Sequence, residues 1–231
     1  SGAHRGIYAK RSKFSISNSL FTHNSTGIYL DINANLNISN SVFSQNINAG
    51  IYQHKAAPNI VANIFYENYN YGIWSDSRTA IRIQHNVFWA NQEENCYHCP
   101  AKVGVLNQVN HREDSTDYKY NLFLDPIFIG SPSEKERIKK DLSIATPDSL
   151  VIDTTLARRE KTARKSNNNL GMKREAPFNP RGKGKYRLSK YSPLIYAGPE
   201  EEFFKNEDGS RNDIGLHGGK HNLVKLRFIY D

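Results

Sequence analysis

The chain has 231 residues, enough for one sizeable core, or for one domain with an appendage. Its mean hydropathy is −0.67, and no apolar run approaches the ~18 residues that a membrane-spanning helix needs. The net charge of +8 calls for an acidic partner such as an anionic polysaccharide, nucleic acid or an anionic membrane surface.

From the N-terminus the chain repeats itself. Gly6-Ile7-Tyr8, Gly27-Ile28-Tyr29, Gly50-Ile51-Tyr52 and Gly72-Ile73-Trp74 recur at intervals of 21, 23 and 22 residues. A closing phrase, Phe-x-x-Asn, falls at Phe21/Asn24, Phe43/Asn46, Phe65/Asn68 and Phe88/Asn91. A period near 22 residues marks a solenoid, in which each repeat stacks on the next. Within each repeat, apolar residues alternate with polar ones as in strands, and Asn, Ser and Gly sit between the runs where turns need them. No 3.6-residue period is present. Short strands and polar turns at one coil per 22 residues describe a parallel β-helix, an all-β fold.

Stacked strands lie ~4.8 Å apart, so equivalent positions form ladders. The columns Ile16/Ile38/Ile60/Ile83, Leu20/Val42/Ile64/Val87 and Phe21/Phe43/Phe65/Phe88 are read as interior. Asn24/Asn46/Asn68/Asn91 is read as a turn ladder, its amides bonding from coil to coil. The repeat is under way by Gly6, leaving no room for a cap. A preceding segment or another protein subunit is therefore expected over that end, where backbone edges would be open.

Residues 93–103 interrupt the period. Gly104-Val105-Leu106 and Asn121-Leu122-Phe123 then read as the opening and closing phrases of a swollen fifth coil. This places the coils at 1–130, followed by a basic irregular insertion at 131–185 and a tail at 186–231 that packs on or caps the coils. Residues 131–190 hold sixteen Lys or Arg against seven Asp or Glu. The coils themselves are thus near neutral and carry no basic stripe, which argues against nucleic acid as a partner. The stretch near Leu156–Lys165 is read either as a short helix or as a mobile excursion. Arg158, Arg159, Lys161, Arg164 and Lys165 form a charge run, read as a solvated face or as a docking patch for an acidic partner.

The Gly-Ile-x and Asn/Ser-x-Phe-x-x-Asn phrases resemble those of right-handed parallel β-helix repeat proteins of the pectate-lyase-like superfamily, over about residues 6–130. The tail, Leu188-x-x-x-Ser192-Pro193-x-Ile195-x-Ala197-Gly198 followed by Asp208-Gly209-Ser210-Arg211-Asn212-Asp213-Ile214-Gly215, is similar to the C-terminal phrase of exported bacterial β-helix surface proteins. It departs at Tyr196, where that phrase usually has Asp. The resemblance implies an extracellular or cell-surface location, with an outer-membrane anchor as one form of it.

Counting from each repeat glycine isolates an outward face. The second position is Tyr8, Tyr29, Tyr52 and Trp74, an aromatic column for carbohydrate binding. The fourth is Lys10, Asp31, His54 and Asp76, with Arg78 just beyond. Two carboxylates beside His54 would favour its protonated form, making it a candidate general acid. Lyases of the resembled superfamily use a basic residue, often with Ca²⁺. Here a His-bearing coil separates Asp31 from Asp76, so no cofactor is called for and Ca²⁺ stays an option only. Cys96 and Cys99 are either a loop-pinning disulfide or half of a zinc site with His111. Asn206–Asp213 is a turn with a faint likeness to a Ca²⁺ loop. The leading function is binding of an extended polysaccharide of anionic type at a cell surface. The alternatives are a polysaccharide lyase, hydrolase or epimerase acting on uronate-type glycans, and a non-catalytic structural or accessory subunit of a surface assembly.

Overall fold

The computed structural model describes residues 2–76, 81–144 and 186–220. The first coil is β1 (Arg5–Lys10), β2 (Ser15–Ser17) and β3 (Leu20–Thr22), and the second is β4 (Thr26–Asp31), β5 (Asn37–Ser39) and β6 (Val42–Ser44). The third is β7 (Ala49–Gln53), β8 (Asn59–Val61) and β9 (Ile64–Tyr66), and the fourth is β10 (Tyr71–Ser75), β11 (Arg82–Gln84) and β12 (Val87–Trp89). A fifth rung, β13 (Glu94–Tyr97), completes the first of three parallel sheets, in the order β1-β4-β7-β10-β13. The second sheet runs β2-β5-β8-β11 and the third β3-β6-β9-β12. These sheets form the first, second and third faces of the solenoid. The columns read from the period are in register: Ile28 pairs with Ile51, Ile38 with Ile60 and Phe43 with Phe65.

The corners explain the Asn and Ser content. Asn18, Asn40, Ala62 and His85 turn the chain from the second face to the third with φ between 45° and 57°. His23, Gln45, Glu67 and Ala90 turn it off the third face in the same way. A non-glycine residue in this region is strained, and the residue that follows each corner supplies the compensation. Asn46 Nδ2 donates to Asn68 Oδ1 (2.9 Å) and to the Phe21 carbonyl (3.1 Å), while its own Oδ1 accepts from the Asn24 amide (3.1 Å). Asn68 and Asn91 repeat this pattern. A second ladder climbs the other corner. Asn63 donates to Asn86, Asn86 to Asn121, and Asn121 to the buried Asp117 carboxylate. Asp117 also accepts from the amides of Gly104, Lys119 and Asn121. A carboxylate has only acceptors, so it ends a ladder of donors.

Inside, Phe21, Phe43, Phe65, Phe88 and Phe123 stack with ring centroids 4.9–5.5 Å apart. The repeat glycine exists because of this stack. A Cβ on Gly50 would lie 2.7 Å from the Gly72 carbonyl oxygen and 2.9 Å from both Phe43 and Phe65. Overpacking a core costs about 1–3 kcal/mol. Gly50→Ala is therefore expected to lower the urea midpoint by that much stability, and a midpoint equal to the parent's would show that the coils spread freely.

The column Leu20/Val42/Ile64/Val87 corrects the sequence reading. It precedes the phenylalanines by one residue, so alternation turns it outward. Leu20 is 41% exposed, whereas Val42, Ile64 and Val87 are buried under a second core made with Leu122, Phe128, Tyr186, Leu194, Ala197 and Ile214. Residues 186–220 thus lie over the third face. Asn40 Nδ2 donates to Asn212 Oδ1 and the Asp213 carbonyl, Gly215 N to the Ala62 carbonyl, and Tyr186 Oη to Ser44 Oγ.

Two further readings change. The fifth rung is not Gly104-Val105-Leu106 but β13, inside the stretch read as an interruption. Cys96 pairs with Ile73 and Tyr97 with Trp74, while Gly104 sits in a turn at φ 87°. Asn121-Leu122-Phe123 does continue the coil, Leu122 bridging to Val87. Between them, β14 (Gln108–Val109) and β15 (Ser115–Thr116) form an antiparallel hairpin. The second change is at 131–144, where α1 (Pro132–Ile144) replaces irregular chain. Its start is a capping arrangement: Ser131 Oγ accepts from Glu134 N, and the Glu134 carboxylate accepts from Gly130 N. The stretch near Leu156–Lys165 and the associated charge run lie outside the described residues.

Candidate functional site

The aromatic column is real and longer than the sequence showed. Tyr8, Tyr29, Tyr52, Trp74 and Tyr97 follow one another up the first face at centroid spacings of 5.7, 4.6, 4.1 and 5.9 Å. Tyr97 was missed because Asn95 and Cys96 stand where Gly and Ile stand elsewhere. In the middle of the column the rings are nearly parallel, at 12° for Tyr29/Tyr52 and 7° for Tyr52/Trp74. Their faces are therefore spent on one another. His98 stacks on Tyr97 at 4.0 Å, and the Arg5 guanidinium lies 4.2 Å from the Tyr29 ring centroid. What the column offers a ligand is ring edges and hydroxyls, not the open faces that sugar stacking would use. Burial raises the Tyr52 hydroxyl pKa, with Tyr29 and Asp76 adding to it.

The ionisable column is paired within itself. Tyr8 Oη donates to Asp31 Oδ2 at 2.6 Å, Ile32 N to Asp31 Oδ1 at 2.8 Å, and Lys10 Nζ lies 3.2 Å from Oδ2. The Tyr8 bond, then the Ile32 amide and Lys10, hold the Asp31 carboxyl down at about 2. His54 Nδ1 is 2.6 Å from Asp76 Oδ2, and Lys55 N donates to Asp76 Oδ1. His54 is thus joined to one carboxylate, while Asp31 is held by Tyr8 and Lys10. Arg78 lies outside the described residues.

A groove of about 370 Å³ runs along the opposite flank of the aromatic column, where the first-face strands begin. It is lined by His4, Arg5, Thr26, Asn48, Asn70 and Tyr71, with the edges of Tyr29, Tyr52 and Trp74 forming one wall. Lys10, Asp31, His54 and Asp76 stand at the other ends of these strands. Arg5 is exposed, its guanidinium lies against the rings of Tyr29 and Tyr8, and among the described residues no side chain or carbonyl accepts from it. The groove residues were not legible as a motif, because the positions just before each glycine change type from coil to coil.

Of the remaining candidates, Cys96 and Cys99 form a disulfide, with Cα atoms 5.6 Å apart, that closes the loop after β13. Asn206–Asp213 is a turn in which side-chain oxygens of Asn206, Asp208 and Asp213 are engaged. Asn206 Oδ1 accepts from the amides of Asp213 and Gly219, and Asp208 Oδ1 from Ser210 N.

Three stacked parallel sheets, inward apolar ladders and corner amide ladders define a parallel β-solenoid whose third face is covered by the tail. Residues 1–110 match the family model of right-handed β-helix regions, in agreement with the three stacked parallel sheets of that part of the chain. No curated protein and no solved structure matched the chain.

Proposed function

We propose that this protein binds an extended polysaccharide carrying carboxylates, in the groove along the first face. The observation that carries the reading is Arg5. Its guanidinium lies 4.2 Å from the Tyr29 ring centroid and 5.1 Å from that of Tyr8, and its N–H groups have no acceptor among the described residues. A planar fork held this way suits a carboxylate taken bidentately. From Arg5 the groove passes Thr26, Asn48 and Asn70, one coil after another, a span of ~14 Å at ~4.8 Å per coil. Amide side chains and phenol edges along that line supply donors and acceptors for successive hydroxyls. The ionisable column lies on the other flank with its carboxylates engaged, which supports binding rather than turnover. A location outside the cell belongs to the same proposal and rests on the tail phrase.

The test is titration with polygalacturonate and alginate oligomers beside neutral glucans, by calorimetry at low salt. Arg5→Ala is expected to weaken uronate binding roughly 10- to 100-fold, the ~1.5–3 kcal/mol of a charge-assisted hydrogen bond. Unchanged affinity in Arg5→Ala, or equal affinity for the neutral glucans, would remove the reading.

A further inference from the structure

A second concavity, larger than the groove, opens on a different side of the coils. Its volume is about 620 Å³, within the roughly 300–1,000 Å³ of small-molecule sites. Three separate stretches wall it: the fourth-coil corner at His85, the β14–β15 hairpin with the turn at Tyr120, and the tail from Ala197 to Arg211. It shares no residue with the groove. We propose that this cleft is a ligand site for a short neutral carbohydrate, with Tyr120 as its stacking platform.

The platform comes first. Tyr120 lies on the His85 imidazole with centroids 5.3 Å apart and planes 13° from parallel. One ring face is thus backed, and the residue is still 43% exposed. A single open aromatic face, fixed from behind, is the geometry that the first-face column lacks. Val109 adds apolar surface at the rim. A flat ring with an apolar neighbour suits the C–H face of a pyranose.

The polar groups then set the class. Arg211 spends Nε on the Gly198 carbonyl and Nη1 on the Glu200 carboxylate. Glu201 lines the cleft with no donor among the described residues on its carboxylate. His111 is at the rim, exposed, and burial followed by Arg211 and Arg112 lowers its pKa. The cleft therefore offers acceptors, donors and an imidazole, which hydroxyls can use in either sense. It has no surplus positive charge for a carboxylate or phosphate: Arg211 is balanced by Glu200, and the unpaired carboxylate of Glu201 repels anions. The walls are fixed to one another. Arg112 Nη1 donates to the Ile195 carbonyl at 2.7 Å, tying hairpin to tail, and Asn110 Oδ1 accepts from the amides of Arg112 and Asp114.

The experiment is saturation-transfer NMR on the whole chain with maltose, cellobiose, lactose and chitobiose, glucosamine serving as the charged comparison. At least one disaccharide is expected to take saturation on its ring protons. Tyr120→Ala is expected to weaken that binding at least tenfold, Tyr120→Phe to keep it within about threefold, and Glu201→Gln to weaken it while leaving the melting temperature alone. Arg5→Ala, in the groove, is expected to change nothing, so failure here is distinct from failure of the uronate reading. The proposal is overturned if none of the four disaccharides binds, if only glucosamine binds, if Tyr120→Ala and Glu201→Gln bind like the parent, or if Arg5→Ala abolishes the signal.

Discussion

Asn46→Ala is expected to cost about 3–6 kcal/mol, several times more than a surface asparagine. Asn46 is fully buried. Truncation removes four hydrogen bonds at once, those of its Nδ2 to Phe21 O and Asn68 Oδ1 and those its Oδ1 accepts from Asn24 N and Asn24 Nδ2. The Phe21 carbonyl and the Asn24 amide are then left in the wall of a solenoid that excludes water. Each buried group without a partner costs ~1–3 kcal/mol, against only ~0.5–1.5 kcal/mol for a bond that water can replace. For a chain of this size the loss corresponds to a fall of roughly 10–20 °C in melting temperature. Asn37→Ala is the comparison. Asn37 is exposed on the second face and accepts only a 3.4 Å contact from Asn59, so its replacement is expected to stay within about 0.5 kcal/mol. If calorimetric melting shows the two variants falling by equal amounts, the ladder is not what holds the corners.

The ladders also show what the sequence made legible. Phe-x-x-Asn recurs because a corner needs a left-handed residue and then an amide that bonds upward and backward, and that requirement is written in every coil. Columns with one residue type per coil could be read from the period alone. The reading failed where the requirement is met by other chemistry. Asn95 and Cys96 fill glycine and isoleucine positions in β13, so the fifth rung looked like an insertion. Leu20, Val42, Ile64 and Val87 looked like core from their apolarity. They are outward-facing: Leu20 stays exposed, and Val42, Ile64 and Val87 are covered by Leu122, Phe128 and the tail, which lies about a hundred residues on. The stacking of the Tyr29, Tyr52 and Trp74 faces was implicit in a 22-residue period, since like rings one coil apart must lie over each other. The groove flank and the cleft had no such signature. Thr26, Asn48 and Asn70 share a place but not a type, and His85, Tyr120, Glu201 and Arg211 meet only because the tail returns across the third face.

That return partly buries His85, whose titration is expected to lower stability in acid. Burial, with Arg211 adding to it, lowers the imidazole to about 4 from an ordinary 6.5, although Glu201, Asp117 and the Ala197 backbone act the other way. Nδ1 is shielded and has no partner, so a proton placed there would be a buried donor with nothing to accept it. The folded chain thus binds this proton more weakly than the unfolded chain. Between pH 6.5 and 4 the unfolded state carries more protons, and stability must fall as pH falls. The contribution is complete above about pH 6.5 and is lost by about pH 4. It amounts to about 3 kcal/mol, since each pH unit across that window is worth ~1.4 kcal/mol. Urea unfolding at pH 7 and pH 4 measures it. His85→Asn is the variant to compare, because Asn tolerates the φ of 52° that His85 adopts, as Asn18 and Asn40 do in the same column. It should flatten the slope between pH 7 and 4, and an undiminished slope would assign the loss to other groups. Asp31 is separable from this effect. Its carboxyl is depressed to about 2 from 3.8, so its contribution is intact above about pH 4 and disappears only as pH falls through 2. Destabilisation between pH 6.5 and 4 that the His85→Asn variant removes therefore reports on the His85 corner, the remainder including His111, whose pKa is lowered as well, and destabilisation below pH 4 includes the loss of the Tyr8–Asp31–Lys10 pairing on the first face.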